Sequence, residues 1–145
     1  RAFLNPRVLF PPLLKISTSA ESNFPMKYLK ILNLTRNTIL AENTVIADSF
    51  FSRLQGLLGK DSLATGEGLI LKPCDSIHTF FMRFSIDAAF VDKNNRVIRL
   101  YHSLEPWRIS GIFPHAAFCI ELPARTLQFS FTQEGDQIEV ISDKL

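Results

Sequence analysis

Residues 78–104, HTFFMRFSIDAAFVDKNNRVIRLYHSL, hold two extended segments that meet at a turn. From His78 to Phe90 the even positions are His78, Phe80, Met82, Phe84, Ile86, Ala88 and Phe90, and the odd ones include Thr79, Arg83, Ser85 and Asp87. Side chains alternate across a strand, so this period predicts one long strand with an apolar face for a core and a mostly polar face opposite. Asp92-Lys93-Asn94-Asn95-Arg96 is rich in residues that tolerate a positive φ, and Val97 to Leu104 resumes the extended pattern, so the pair reads as a β-hairpin.

The same grammar extends outward. Upstream, YLKILNL (28–34) and Thr44 to Ala47 are short, with β-branched residues and polar interruptions, and Leu69 to Leu71 follows the GEG turn until Pro73 interrupts it or places it at an edge. Downstream, Ala117 to Leu122, Thr126 to Thr132 and Gln137 to Ile141 are separated by Pro123 and by the Glu134-Gly135-Asp136 turn. Between 48 and 59 the period changes: Phe51, Leu54, Leu57 and Leu58 recur at helical spacing, Asp48 or Ser49 can cap the start, and Gly59 suits the stop. Many short strands with one short helix predict a mainly β fold, a sandwich or barrel.

A chain of 145 residues with 46% hydrophobic content fits one domain that buries its own core. Residues 1–25, with Pro6, Pro11, Pro12 and Pro25 and no hydrophobic period, read as a disordered or extraneous extension, with a cleaved leader as the alternative; residues 26–145 read as the single domain. The net charge of +2 comes wholly from that extension, which holds three basic residues and one acidic, leaving 13 of each sign in 26–145. A neutral domain lacks the basic stripe that grips phosphate backbones, which argues against a nucleic-acid partner. No unbroken apolar run approaches the length of a membrane-spanning helix. Cys74 and Cys119 read as reduced, buried thiols, and with no convincing signal segment the expected compartment is the cytoplasm.

Several of these segments carry a family signature. GLLGKDSL (56–63), the long run GEGLILKPCDSIHTFFMRFSIDAAFVD (66–92), PWR (106–108), IELPARTL (120–127) and EGDQIEV (134–140) together resemble the domain-of-unknown-function family numbered 192, also called the uncharacterised protein family numbered 0127. The resemblance runs from about Asp48 to Val140 and implies a compact antiparallel β-sandwich of jelly-roll type with a small helix. Two departures stand out: His115-Ala116 where Gly-Ala is expected, and Pro-Ala-Arg-Thr at 123–126 where Pro-Ala-Gly-Thr is usual.

The 66–92 run also concentrates chemistry. Cys74 and His78 have a spacing that on a helix brings side chains within about 6 Å and allows joint metal ligation. On a strand the same spacing separates them by about 13 Å. No third or fourth ligand is evident, so neither a metal nor another cofactor is expected. The same pair could serve a metal- or thiol-dependent hydrolase, which requires an exposed thiol in an electropositive place. Phe81, Arg83 and Asp87 on one strand face would join an aromatic ring to fixed positive and negative groups, the makings of a site for a small polar ligand. Met82 lies within the same motif, Trp107 and Arg108 occupy a loop able to line such a site, and Glu121 alternates toward the face that carries Arg83. The leading expectation is a non-catalytic module that binds a small polar ligand or a protein partner through Cys74, His78, Phe81, Met82, Arg83, Asp87, Trp107 and Arg108; the alternative is an enzyme centred on Cys74 and His78.

Overall fold

Seven strands hydrogen-bond into one sheet in the computed structural model, which describes residues 28–48 and 57–142. They are β1 (Leu29–Asn33), β2 (Thr38–Ala47), β3 (Glu67–Leu71), β4 (Ile86–Asp92), β5 (Val97–Leu104), β6 (Ala116–Pro123) and β7 (Ile138–Ser142); a short helix, α1 (Thr126–Phe129), lies between β6 and β7. The order across the sheet is β5-β4-β6-β3-β2-β1-β7. The extension expected at 1–25 lies outside the described residues, as does most of the helix expected at 48–59; of the latter only a turn at 57–59 is described, with Gly59 at φ 81°.

The fold is mainly β, as read from the sequence, but the sheet is mixed. β2 and β3 run parallel, from Asn43 opposite Glu67 to Ala47 opposite Leu71, whereas every other pairing is antiparallel. Parallel neighbours need a connection long enough to carry the chain back to the same edge, and residues 48–66 supply it. Nor does the molecule divide into the two facing sheets of a jelly-roll sandwich. Instead the sheet curls until its edge strands touch at one end: Val97 donates to the Asp136 carbonyl at 2.9 Å, Gly135 to Val97 at 2.7 Å and Ile138 to Asn95 at 2.8 Å. That closure covers part of both edges, which unpaired would invite another chain.

Curling gives the central strands two buried faces. Ile70, Ala89, Val91, Phe118, Ile120 and Leu122 point into the curl, where Ile31, Leu40, Val97, Leu127 and Ile138 meet them. Leu69, Leu71, Ile86, Ala88, Phe90 and Cys119 point outward but are not exposed, because the segment 72–85 lays Cys74, Ile77 and Met82 over them. At roughly 1.5–3 kcal/mol for each large side chain removed from water, these two layers supply most of the drive to fold.

The 92–96 turn forms as expected: the Asp92 carboxylate accepts from the amides of Asn94 and Arg96, and Asn95 takes φ 60°. Two expectations fail. The run from His78 to Phe90 is a strand only from Ile86 onward, since residues 79–85 leave the sheet to cover its outer face. Residues 126–132, expected to extend, open with α1, where the Leu127 amide is taken by the Asp87 carboxylate rather than by a neighbouring strand.

Candidate functional site

Three loops leave the sheet at one end. Ile86, which begins β4, stands opposite both Leu104 at the end of β5 and Pro123 at the end of β6, so 80–85, 105–108 and 124–132 emerge side by side. Thr79 clasps two of them. Its amide donates to the Arg108 carbonyl at 2.9 Å, its carbonyl accepts from the Trp107 amide at 3.0 Å, and its hydroxyl donates to the Glu105 carbonyl at 2.6 Å while accepting from the Arg108 amide at 2.9 Å. Thr79 is fully buried, so these bonds form away from competing water and fix the loops against each other.

On this clasp the aromatic side chains assemble. The rings of Phe81 and Trp107 lie 4.6 Å apart at 58° to each other, with Phe80 5.9 Å from Trp107 and His78 4.9 Å from Phe80. His78 is half-buried, and its Nδ1 accepts the Phe80 amide at 3.2 Å, which holds the imidazole against the Phe80 ring. Phe81 is 69% exposed and Trp107 58% exposed, so the largest apolar groups of the cluster face water. Arg83 reaches Asp61 at 2.7 Å and Arg108 reaches Glu105 at 3.2 Å, all four charged ends lying on the surface.

The backbone is strained where these rings project. Phe81 and Trp107 both have φ 64°, a left-handed conformation that costs a residue other than glycine about 1–2 kcal/mol. Of the seven non-glycine residues with positive φ among the described residues, Asn37 and Asn95 are asparagines in turns; the other five, Phe81, Ser103, Trp107, Arg125 and Phe131, all belong to these three loops or the strand end beside them. Strain of this kind persists only where surrounding bonds over-determine the backbone, and it gathers at sites with a role.

Asp87 stands apart from this group. It is fully buried, pointing into the curl, and its carboxylate accepts the Ser103 amide at 2.8 Å and the Leu127 amide at 2.8 Å. The expectation of a common face for Phe81, Arg83 and Asp87 is therefore corrected: with 79–85 out of the sheet, strand alternation does not relate them, and Arg83 pairs with Asp61 instead. Glu121, expected on the polar face, is fully buried as well, opposite Leu69 and Ala88 on the outward layer.

Met82 is buried in the outward layer of the sheet. Cys74 lies in the same layer at 5% exposure, its thiol donating to the Ser76 carbonyl at 3.2 Å, and Cys119 is buried there too. An enclosed apolar thiol is the opposite of the electropositive, accessible one a nucleophile needs. Among the described residues no group of three or more His, Cys, Asp or Glu side chains converges to hold a metal ion, and no helix is long and apolar enough to cross a membrane. Thr79, Glu105 and Asp61 were not singled out from the sequence; a threonine in an apolar run and two surface acids carry no signal until the loops that unite them are seen.

Residues 32–140 match the family model DUF192, described as Uncharacterized ACR. A UPF0127 protein of Pyrococcus horikoshii is 39% identical over 113 residues, covering 75% of this chain and 96% of that protein. Another, from Thermococcus sibiricus, is 32% identical over 114 residues, covering 75% of this chain and 73% of that protein. The crystal structure of a protein of unknown function from Novosphingobium aromaticivorans overlays with a TM-score of 0.66 at 17% identity, covering 77% of this chain and 82% of that one. At that identity the overlay speaks to the fold alone.

Proposed function

The chain belongs to the DUF192 family, and from that premise we propose that it is a non-catalytic binding module whose contact surface is the loop end of the curled sheet, with Phe81 and Trp107 at its centre, Arg83 and Arg108 beside them and His78 against Phe80. Cys74 and Met82 belong to the buried outward layer of the sheet, and Asp87 ties β5 to α1 next to the loops that carry the rings.

One observation carries the reading. Two large aromatic side chains are held in contact and in water by backbone conformations that cost energy, and folding alone gains little from them. A soluble domain seldom spends strain to expose apolar rings unless the rings meet something. Trp and Arg are also the residues that dominate contact energies when a surface is covered. The hydrolase alternative has less support, since Cys74 is enclosed and bonded to a carbonyl.

The test is thermodynamic. In Phe81→Gly and Trp107→Gly, relief of about 1–2 kcal/mol of left-handed strain opposes the loss of a ring pair worth about 0.5–1.5 kcal/mol and the added chain entropy of glycine, about 0.5–1 kcal/mol. Each variant is expected to unfold in urea within about 1 kcal/mol of the parent. A loss of about 3 kcal/mol or more, as for a core aromatic, would make the rings structural and remove the ground for a binding surface.

A further inference from the structure

The charge around the rings narrows what they can hold, a step that rests on the binding surface proposed above. Both arginines beside the rings already meet an acid: the Arg83 guanidinium lies 2.7 Å from Asp61, and that of Arg108 3.2 Å from Glu105. The rings are thus flanked by neutralised pairs and not by a positive field. A phosphate or carboxylate ligand would meet arginines whose charge is already offset and would lie beside Asp61 or Glu105, an acid that repels it. A hydrocarbon ligand needs an apolar enclosure. A cavity of about 430 Å³, lined by Tyr28, Val45, Leu57 and Leu69 among others, includes neither Phe81 nor Trp107, and both rings lie open to water.

The chemistry left is an uncharged molecule with an apolar face and hydroxylated edges. A pyranose ring is that molecule: its axial C–H groups pack on an aromatic face, and its hydroxyls both donate and accept. The pairs at the rim match this demand, because a guanidinium bonded to one carboxylate keeps further N–H donors and the carboxylate keeps unused lone pairs. We propose that the Phe81–Trp107 surface is a saccharide site for neutral pyranose oligomers, with Arg83–Asp61 and Arg108–Glu105 bonding hydroxyls at its rim. The two contacting ring planes are set at 58°, so they present faces of different tilt, which favours an oligomer whose successive rings turn over a single flat sugar.

Trp107 is the only tryptophan in the chain, so its emission reports on this site alone. The full chain is titrated with cellotetraose, chitotetraose and maltotetraose, each to about 10 mM, and in parallel with adenosine monophosphate and inorganic phosphate. At least one tetrasaccharide is expected to shift the emission saturably, with a dissociation constant of about 0.1–1 mM, as befits an open, two-ring site. That constant should change less than about two-fold between low and high salt, because no net charge is neutralised on binding. In Phe81→Ala, which keeps the tryptophan, affinity should fall about ten-fold or more, at constant Tm or not. A flat response to all three saccharides, or equal binding by Phe81→Ala, overturns the inference. Binding of the phosphate compounds without any saccharide would do so too, while leaving a binding surface in place. The binding reading itself falls on a separate result, the urea stability of the glycine variants.

Discussion

A carboxylate with no exposed surface must be satisfied by donors inside the protein, and Asp87 finds two main-chain amides, Ser103 at the end of β5 and Leu127 in α1. The single side chain ties β5 to α1 at the end of the sheet where the three loops emerge. Removing it strands both amides in the interior, and buried donors without partners cost about 1–3 kcal/mol each, so Asp87→Ala is expected to lose about 3 kcal/mol of stability in urea. Asparagine is no conservative replacement, because its amide would face a second N–H. A variant within about 0.5 kcal/mol of the parent would show that water takes over both bonds and that the tie is dispensable. Asp87 is also where reading the sequence reaches its limit. Alternation correctly set it against Ile86 and Ala88, but alternation separates two faces without saying which is wet, and in a sheet that curls both are dry. Arg83, Phe81 and Trp107 were marked as site residues for their chemistry; that Thr79 would unite their loops depended on contacts some thirty residues apart in the chain.

At the level of elements, what was legible was local. The 92–96 turn, β5, β6 and β7 follow from alternation and turn residues that lie next to one another in sequence. The parallel pairing of β2 with β3, the departure of 79–85 from the sheet and the start of α1 are decided by distant partners. Helix α1 illustrates this. It spans four residues, too few to persist on propensity, and is entered through Arg125 at φ 76°. The family resemblance has glycine at this position, and the left-handed backbone supplies the physical reason: only glycine adopts it without cost. Here the guanidinium of Arg125 lies 4.9 Å from the centre of the Phe129 ring, a contact worth about 0.5–1 kcal/mol that offsets part of the strain. Comparing two truncations separates these effects, since both remove the cation but only one relieves the backbone. Arg125→Gly is expected to be more stable than Arg125→Ala by about 1 kcal/mol, read as a difference in urea midpoint at constant slope. Equal stabilities would mean that the turn relaxes out of the left-handed region once the arginine is gone.

For the molecule as a whole, the decisive feature is where the curl closes, and one acid governs it. Asp136 contributes its main-chain carbonyl to the Val97 amide across the two edge strands, while its carboxylate accepts from Asn33 at 2.9 Å, from Arg36 at 2.9 Å and from the Gln133 amide at 2.9 Å. Burial alone would raise the Asp136 pKa; the hydrogen bonds from Arg36, Asn33 and Gln133, with the charge of Arg36, outweigh burial and hold it below the ordinary carboxylate value. A group whose pKa is lower folded than unfolded stabilises the fold fully above its unfolded pKa, about 3.9 for aspartate, and loses that contribution as pH falls through the folded value. Stability should therefore decline progressively below about pH 4, and part of that decline should vanish in Asp136→Asn, which starts less stable at neutral pH by about 2 kcal/mol. Because the same residue holds the β1–β2 turn and the β5 edge, its protonation should also loosen the closure locally. Amide exchange at Val97, Gly135 and Ile138 is then expected to accelerate at acid pH, after correction for intrinsic rates, before exchange at Ala89 and Ile120 in the centre of the sheet. If all five amides gain exchange together, the closure is not a separable unit, and the curled sheet opens only by unfolding as one.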